Sequence, residues 1–131
     1  MQSLTVKRSK PSDPILLDLL IFNPATEFGI STVGLFDTGN DHTAISQQVF
    51  ADCELTNSGK TFEVSGVTGG SSGISAILSI GIRFDNGHQA LVSNHEVVVI
   101  EGLSNEVLIG RDFLKHFDVR ILRDGAFILN L

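Results

Sequence analysis

The chain has 131 residues, room for one domain and not for a second lobe. Hydrophobic residues make up 42%, charged residues 18%, and there are 13 glycines, which excludes a disordered chain and favours a β-rich domain with tight turns over a helical bundle. Fifteen acidic against nine basic residues give a net charge of −6, which argues against a nucleic-acid partner. In chain order, residues 1–14 carry two prolines and read as a loose arm or a short edge strand at Leu4-Thr5-Val6. Ile15 to Phe22 reads as a buried strand, Asn23-Pro24 as a turn, and Ile30 to Phe36 as the second strand of a hairpin. Thr43 to Phe50 reads as a short strand running into a turn or a helical turn. Lys60 to Val67 alternates polar and apolar residues, and a glycine-rich run follows from Gly66 to Gly73. Ile74, Ala76, Leu78, Ile80 and Ile82 then fall on one face at period 2, the clearest strand signal in the chain. Asn86-Gly87 predicts a hairpin turn into a strand over Ala90 to Ile100. Val107-Leu108-Ile109 is a short strand stopped by Gly110. Asp112 to Phe117 predicts one or two helical turns with Phe113, Leu114 and Phe117 on one side. Asp124-Gly125 joins two last strands, Val119 to Leu122 and Ala126 to Leu131. The reading is all-β with one short C-terminal helix.

Cys53 is the only cysteine, so no internal disulfide can form, and a reducing compartment is expected. It reads as a small buried residue, because nothing near it marks a Cys-His pair. The apolar stretch Ile15 to Phe22 contains Asp18 and is too short to cross a membrane. No signal peptide is read, so the default location is cytoplasmic and no membrane partner is expected. His42, His88, His95 and His116 lack close ligand spacing and read as surface or loop residues. No metal and no cofactor are expected.

The chemistry centres on Leu35-Phe36-Asp37-Thr38-Gly39-Asn40. An acid just after an apolar strand sits at the edge of the core. Gly39 allows a tight turn in which backbone N–H groups face the carboxylate. The Thr38 hydroxyl can tie that turn to a neighbour. Alone, the Asp37-Thr38-Gly39 triplet is weak, since Asp37 also reads as an ordinary turn residue.

Three features in order strengthen it: Asp37-Thr38-Gly39 after its strand, the glycine-rich tip at Gly69-Gly70, and Val107-Leu108-Ile109-Gly110-Arg111-Asp112-Phe113-Leu114 before a terminal strand. Together they resemble the retropepsin family, the retroviral-type aspartic proteases, over roughly residues 15–131. The resemblance implies a small closed or partly open acid-protease barrel, assembled as a two-fold homodimer. It implies Asp37 as the catalytic residue, with Thr38 and Gly39 forming the active-site turn. Gly39, Asn40, Asp41 and His42, together with Thr68, Gly69 and Gly70 in a flap, would bind substrate. Asp41 would pair with Arg111, a structural brace along with Asp112, which also reads as a helix cap. The residue after Asp-Thr-Gly is usually Ala or Ser in the family, and here it is Asn40.

Stoichiometry gives an argument apart from the family. Aspartic proteolysis needs two carboxyls sharing one proton, because two like charges about 3 Å apart cannot both ionise. With one such triplet per chain, the second carboxyl must come from another copy. The expected activity is therefore cleavage of extended polypeptides by a homodimer. Two alternatives remain: a catalytically silent dimerisation or peptide-binding domain on the same fold, and a monomeric β-barrel binding module.

Overall fold

Alternation along the chain sets most of the strands. A computed structural model describes residues 3–10, 12–37, 39–64 and 71–130. The strands are β1 (Ser3–Val6), β2 (Leu16–Phe22), β3 (Gly29–Phe36), β4 (Ala44–Ser46), β5 (Thr61–Val64), β6 (Ser71–Arg83), β7 (Gln89–Ile100), β8 (Val107–Ile109), β9 (Asp118–Ile121) and β10 (Phe127–Asn130). A short helix α1 (Gln47–Asp52) follows β4, and a 3-10 helix (Arg111–Lys115) follows β8. In β6, Ala76, Leu78, Ile80 and Ile82 are all buried on one face, as the period-2 reading predicts. Gly87 and Gly125 close their hairpins at φ 86° and 95°, a conformation that glycine adopts without strain.

Seven strands form one sheet in the order β2-β3-β8-β4-β7-β6-β5, and a further β2–β6 pairing closes six of them into a barrel. Closure leaves those six strands no free edge, and inward-facing side chains fill the interior. Leu17, Leu19 and Ile21 of β2 join Ile45, Val97, Val107 and Ile109 in that core. Each such side chain contributes roughly 1.5–3 kcal/mol on burial. The remaining strands, β1-β10-β9, form a separate antiparallel sheet. It is tied to the barrel where the Phe36 and Phe127 rings meet at 5.0 Å between centroids. No helix among the described residues is long and apolar enough to cross a membrane.

Three local readings differ from the structure. The run Ile15 to Phe22 is not buried throughout: β2 alternates, and Leu16 is exposed. As a barrel strand it shows one face to the core and one outward. By contrast, Thr43 to Phe50 follows its reading as a strand running into a helical turn: β4 leads into α1, which the Ser46 hydroxyl caps by accepting from the Val49 N–H at 3.2 Å. Near the C-terminus, Phe113 and Phe117 are buried but Leu114 is exposed. At three residues per turn, a 3-10 helix turns adjacent positions about 120° apart, which carries Leu114 outward. His95 is buried within β7, contrary to its reading as a surface or loop residue. His42, His88 and His116 are exposed.

Candidate active site

Strand β3 ends at Phe36, whose N–H donates to the Ile15 carbonyl at 2.9 Å. The next N–H, of Asp37, donates to the Ile109 carbonyl at 2.9 Å, so the end of β8 anchors the acid's backbone. The half-buried Asp37 carboxylate is gripped by its own turn. Its Oδ1 accepts from the Gly39 N–H at 2.9 Å, and its Oδ2 accepts from Asn40 Nδ2 at 3.2 Å. Thr38 lies outside the described residues.

The segment after this turn is held by the residues that follow β8. Arg111 N–H donates to the Asn40 carbonyl at 2.8 Å, and Asp112 N–H to the Asp41 carbonyl at 3.1 Å. Gly110 makes that approach possible. A Cβ there would stand 2.5 Å from the His42 carbonyl carbon and 2.9 Å from the Thr43 nitrogen. Arg111 Nη2 meets the Asp41 carboxylate, pairing the two residues that the family resemblance pairs. Both side chains are more than half exposed, so the pair adds only about 0–1 kcal/mol.

The stronger tie is Asp112. It caps no helix, since Gly110 is the N-cap and has no side-chain bond. Its carboxylate turns inward to accept from the Thr43 N–H at 2.9 Å, from Thr43 Oγ1 at 2.7 Å and from His95 Nε2 at 2.9 Å. Thr43 Oγ1 in turn accepts from the Gly110 N–H at 3.2 Å, and the Thr43 carbonyl accepts from the Val98 N–H at 3.0 Å. One threonine thus joins the segment after the Asp37 turn to β7, to Gly110 and to the 3-10 helix. Burial works to raise the Asp112 pKa. The hydrogen bonds from His95 and Thr43 and the electrostatic pull of His95 outweigh it, and the pKa lies below its ordinary value.

Sequence reasoning missed His95 and Thr43 as parts of this site. A parity signal exists for His95, which shares its register with the buried Val97 and Val99. For Thr43 there was none, because its partners are 67 and 69 residues away in the chain.

His42 is exposed and packs its ring on Phe62 of β5, with centroids 5.4 Å apart. β5 and β6 pair antiparallel from Thr61↔Ile74 to Val64↔Ser71, leading into and out of the expected flap. Thr68, Gly69 and Gly70 at its tip lie outside the described residues. A groove of about 780 Å³ runs past Leu16, Asp18, Val33 and Arg83 and includes none of the candidate site residues. It belongs to the outer faces of β1, β2 and β3 and carries no catalytic geometry.

Cys53 is fully buried, with Sγ 3.5 Å from the Ile21 carbonyl. Burial, and then the Asp52 charge, push its thiol pKa up, so the nucleophilic thiolate is disfavoured. Native protein is expected to react with iodoacetamide at least about a hundredfold more slowly than protein in guanidinium. Mass-spectrometric counting of the adduct checks this, and equal rates would show that the residue is accessible.

The family described as "gag-polyprotein putative aspartyl protease" matches residues 29–116, from the start of β3 to the end of the 3-10 helix. No curated protein matches the chain. Among solved structures, the chain is similar to a retropepsin-like aspartic protease from Rickettsia conorii. The TM-score is 0.70 at 18% identity, over 98% of this chain and 89% of that one. It is also similar to EIAV protease complexed with the inhibitor HBY-793, with a TM-score of 0.54 at 18% identity over 79% and 88% of the two chains. The barrel, the Asp37 turn and the segment that braces it thus agree with the family match: the chain belongs to the retropepsin-like aspartic proteases.

Proposed function

We propose that the protein is an aspartic endopeptidase that cuts extended polypeptides as a homodimer, with Asp37 of each copy forming the catalytic pair. The observation that carries this reading is the Asp37 turn. A carboxylate at the end of a barrel strand has each oxygen held by a donor of its own loop, within a fold and family of aspartic proteases. That grip fixes the carboxylate's orientation before substrate arrives, which lowers the ordering cost at the reaction step. Of the two carboxyls, the protonated one donates a hydrogen bond to the scissile carbonyl. The ionised one takes a proton from the water lying between them. The water oxygen bonds to the carbonyl carbon while the protonated carboxyl passes its proton to the carbonyl oxygen, giving a tetrahedral diol. A proton then passes to the leaving nitrogen as the C–N bond breaks.

In this reading residues 15–131 form the protease domain, and residues 1–14 are an arm that supplies β1. Gly39, Asn40, Asp41 and His42 line the floor under an extended substrate, bound mainly through its backbone. Thr38 braces the turn across the dimer, and Thr68, Gly69 and Gly70 close over the peptide. Arg111 and Asp112 hold the floor in place and do not touch the reacting atoms.

One observation favours a second reading, a silent peptide-binding dimer. Asn40 places an amide on Asp37 Oδ2, at a position where the family usually has Ala or Ser. Incubation with an unfolded protein across acid to neutral pH, followed by mass spectrometry, separates the two. New termini in wild type that are absent with Asp37→Asn are the expected result. Peptide retention without any cut at every pH would establish the silent reading instead.

A further inference from the structure

Strand β7 breaks its own period. Val92 and His95 are both buried, although they stand three residues apart. A regular strand turns such positions to opposite faces. The break is a bulge. Leu78 of β6 pairs with His95 and Ile80 pairs with Val92, so two steps along β6 face three along β7. Asn94 lies in the extra stretch at φ 53°, a left-handed conformation that few residues other than glycine and asparagine adopt readily. Its N–H donates to the hydroxyl of the buried Ser79 at 3.3 Å.

The bulge decides where one side chain points. Beyond it, His95 falls in phase with the buried Val97 and Val99. The imidazole lies edge-on to Phe113, with centroids 5.8 Å apart, and its Nε2 reaches Asp112 Oδ2. Two residues donate to that carboxylate among the described residues, Thr43 and His95. Thr43 belongs to the segment that Asp112 holds, so it moves with that segment. His95 comes from the barrel wall and fixes Asp112 against it.

From Asp112 the connections run on to the acid. The Asp112 N–H holds the Asp41 carbonyl, and the Arg111 N–H holds the Asn40 carbonyl. The Asn40 amide in turn donates to Asp37 Oδ2. A strained residue beside a site is kept where the surrounding structure demands it, and bulges recur next to active sites because they re-aim a side chain.

We propose that His95 is a positioning residue for the Asp37 turn, aimed by the β7 bulge at Asn94, and that it acts through Asp112 on the backbone of Asn40 to Thr43. His95 touches no reacting atom. Its effect on catalysis rests on the reading of Asp37 as the catalytic acid, whereas its hold on the segment does not.

The test is amide hydrogen exchange by NMR on the full chain, with peptide cleavage measured beside it. His95→Gln keeps a donor where Nε2 lies, and His95→Phe keeps a ring but removes the donor. In His95→Phe the amides of Thr43, Arg111 and Asp112 are expected to exchange about tenfold faster relative to the barrel amides of Ile21 and Ile80. His95→Gln is expected to restore their protection. A general loss of stability would instead speed all five amides alike and would overturn the proposal, as would His95→Gln exchanging as fast as His95→Phe. Asn94→Val, whose branched side chain resists φ 53°, should expose the same three amides, and Asn94→Gly should not. In a His95→Phe background Asn94→Val should add nothing, because both act through one contact. Additive effects would overturn the aiming role of the bulge. If His95→Phe does not fold, Asn94→Val against Asn94→Gly decides the matter. For cleavage, kcat/KM is expected to fall about tenfold in His95→Phe and to recover in His95→Gln. Wild type that cuts no peptide would overturn the protease reading, and the exchange rates would still decide whether His95 holds the segment.

Discussion

Asp37→Asn is expected to lower kcat/KM for peptide cleavage by about a thousandfold or more while leaving the fold intact. The amide oxygen can still accept from the Gly39 N–H, so the turn keeps its shape. What is lost is the carboxyl that takes a proton from water or donates one to the carbonyl. A mixing experiment extends the test to stoichiometry. Equal amounts of wild type and Asp37→Asn, allowed to exchange, give homodimers and heterodimers in a 1:2:1 ratio. Only the wild-type homodimer has both carboxyls, so activity should fall to about a quarter of that of the same total amount of wild type. Retention of half would mean that each chain acts alone, and the paired mechanism would be abandoned. Peptide binding by isothermal calorimetry should survive in the variant.

Replacing Asp112 should have the largest effect on stability. In Asp112→Ala the Thr43 N–H, the Thr43 hydroxyl and His95 Nε2 lose their common acceptor. Thr43 is fully buried and His95 nearly so, so water does not readily replace it. The expected cost is about 3–5 kcal/mol, a fall of about 10–20 °C in Tm. Asp112→Asn keeps one acceptor and should cost about 1–2 kcal/mol. The pH dependence has a definite sign. The Asp112 pKa is lowered in the folded state from its ordinary 3.8. Its contribution to stability is therefore present above the unfolded pKa and is lost as pH falls through the folded one. Urea unfolding between pH 7 and pH 3 should show wild type losing this share below about pH 4, near the unfolded carboxyl value. Asp112→Asn should lack it. Parallel acid limbs in the two proteins would show that Asp112 is not ionised in the fold. Activity should also fall in Asp112→Ala at temperatures where it remains folded, because the Asn40–Thr43 segment loses its anchor.

Much of the fold was legible because barrel strands write their burial at period 2. The run from Ile74 to Ile82 and the turns Asn86-Gly87 and Asp124-Gly125 are local signals, and the structure follows them. The strand order was not legible. β8 pairs in parallel with β3 and β7 pairs in parallel with β4, partners far apart in the chain whose register leaves no local trace. At the site, the sequence marked the Asp37 turn and the segment after Ile109, because both are compact motifs. It gave Asp112 as a brace through the family resemblance and also as a helix cap, since an acid at a helix start usually caps. The true partners, Thr43 and His95, lie 69 and 17 residues away, and that convergence exists only after the barrel closes.

The placement of β8 between β3 and β4 has a consequence for when the Asp37 loop can first take its shape. The backbone of Asp37 is anchored by the Ile109 carbonyl, and the stretch beyond it by residues 110–112. On a ribosome, about seventy further residues must emerge before the acid's loop can settle. Pairings of such long sequence separation form slowly. A nascent chain therefore carries the Asp37 loop without its anchor until residues 109–112 have emerged and paired.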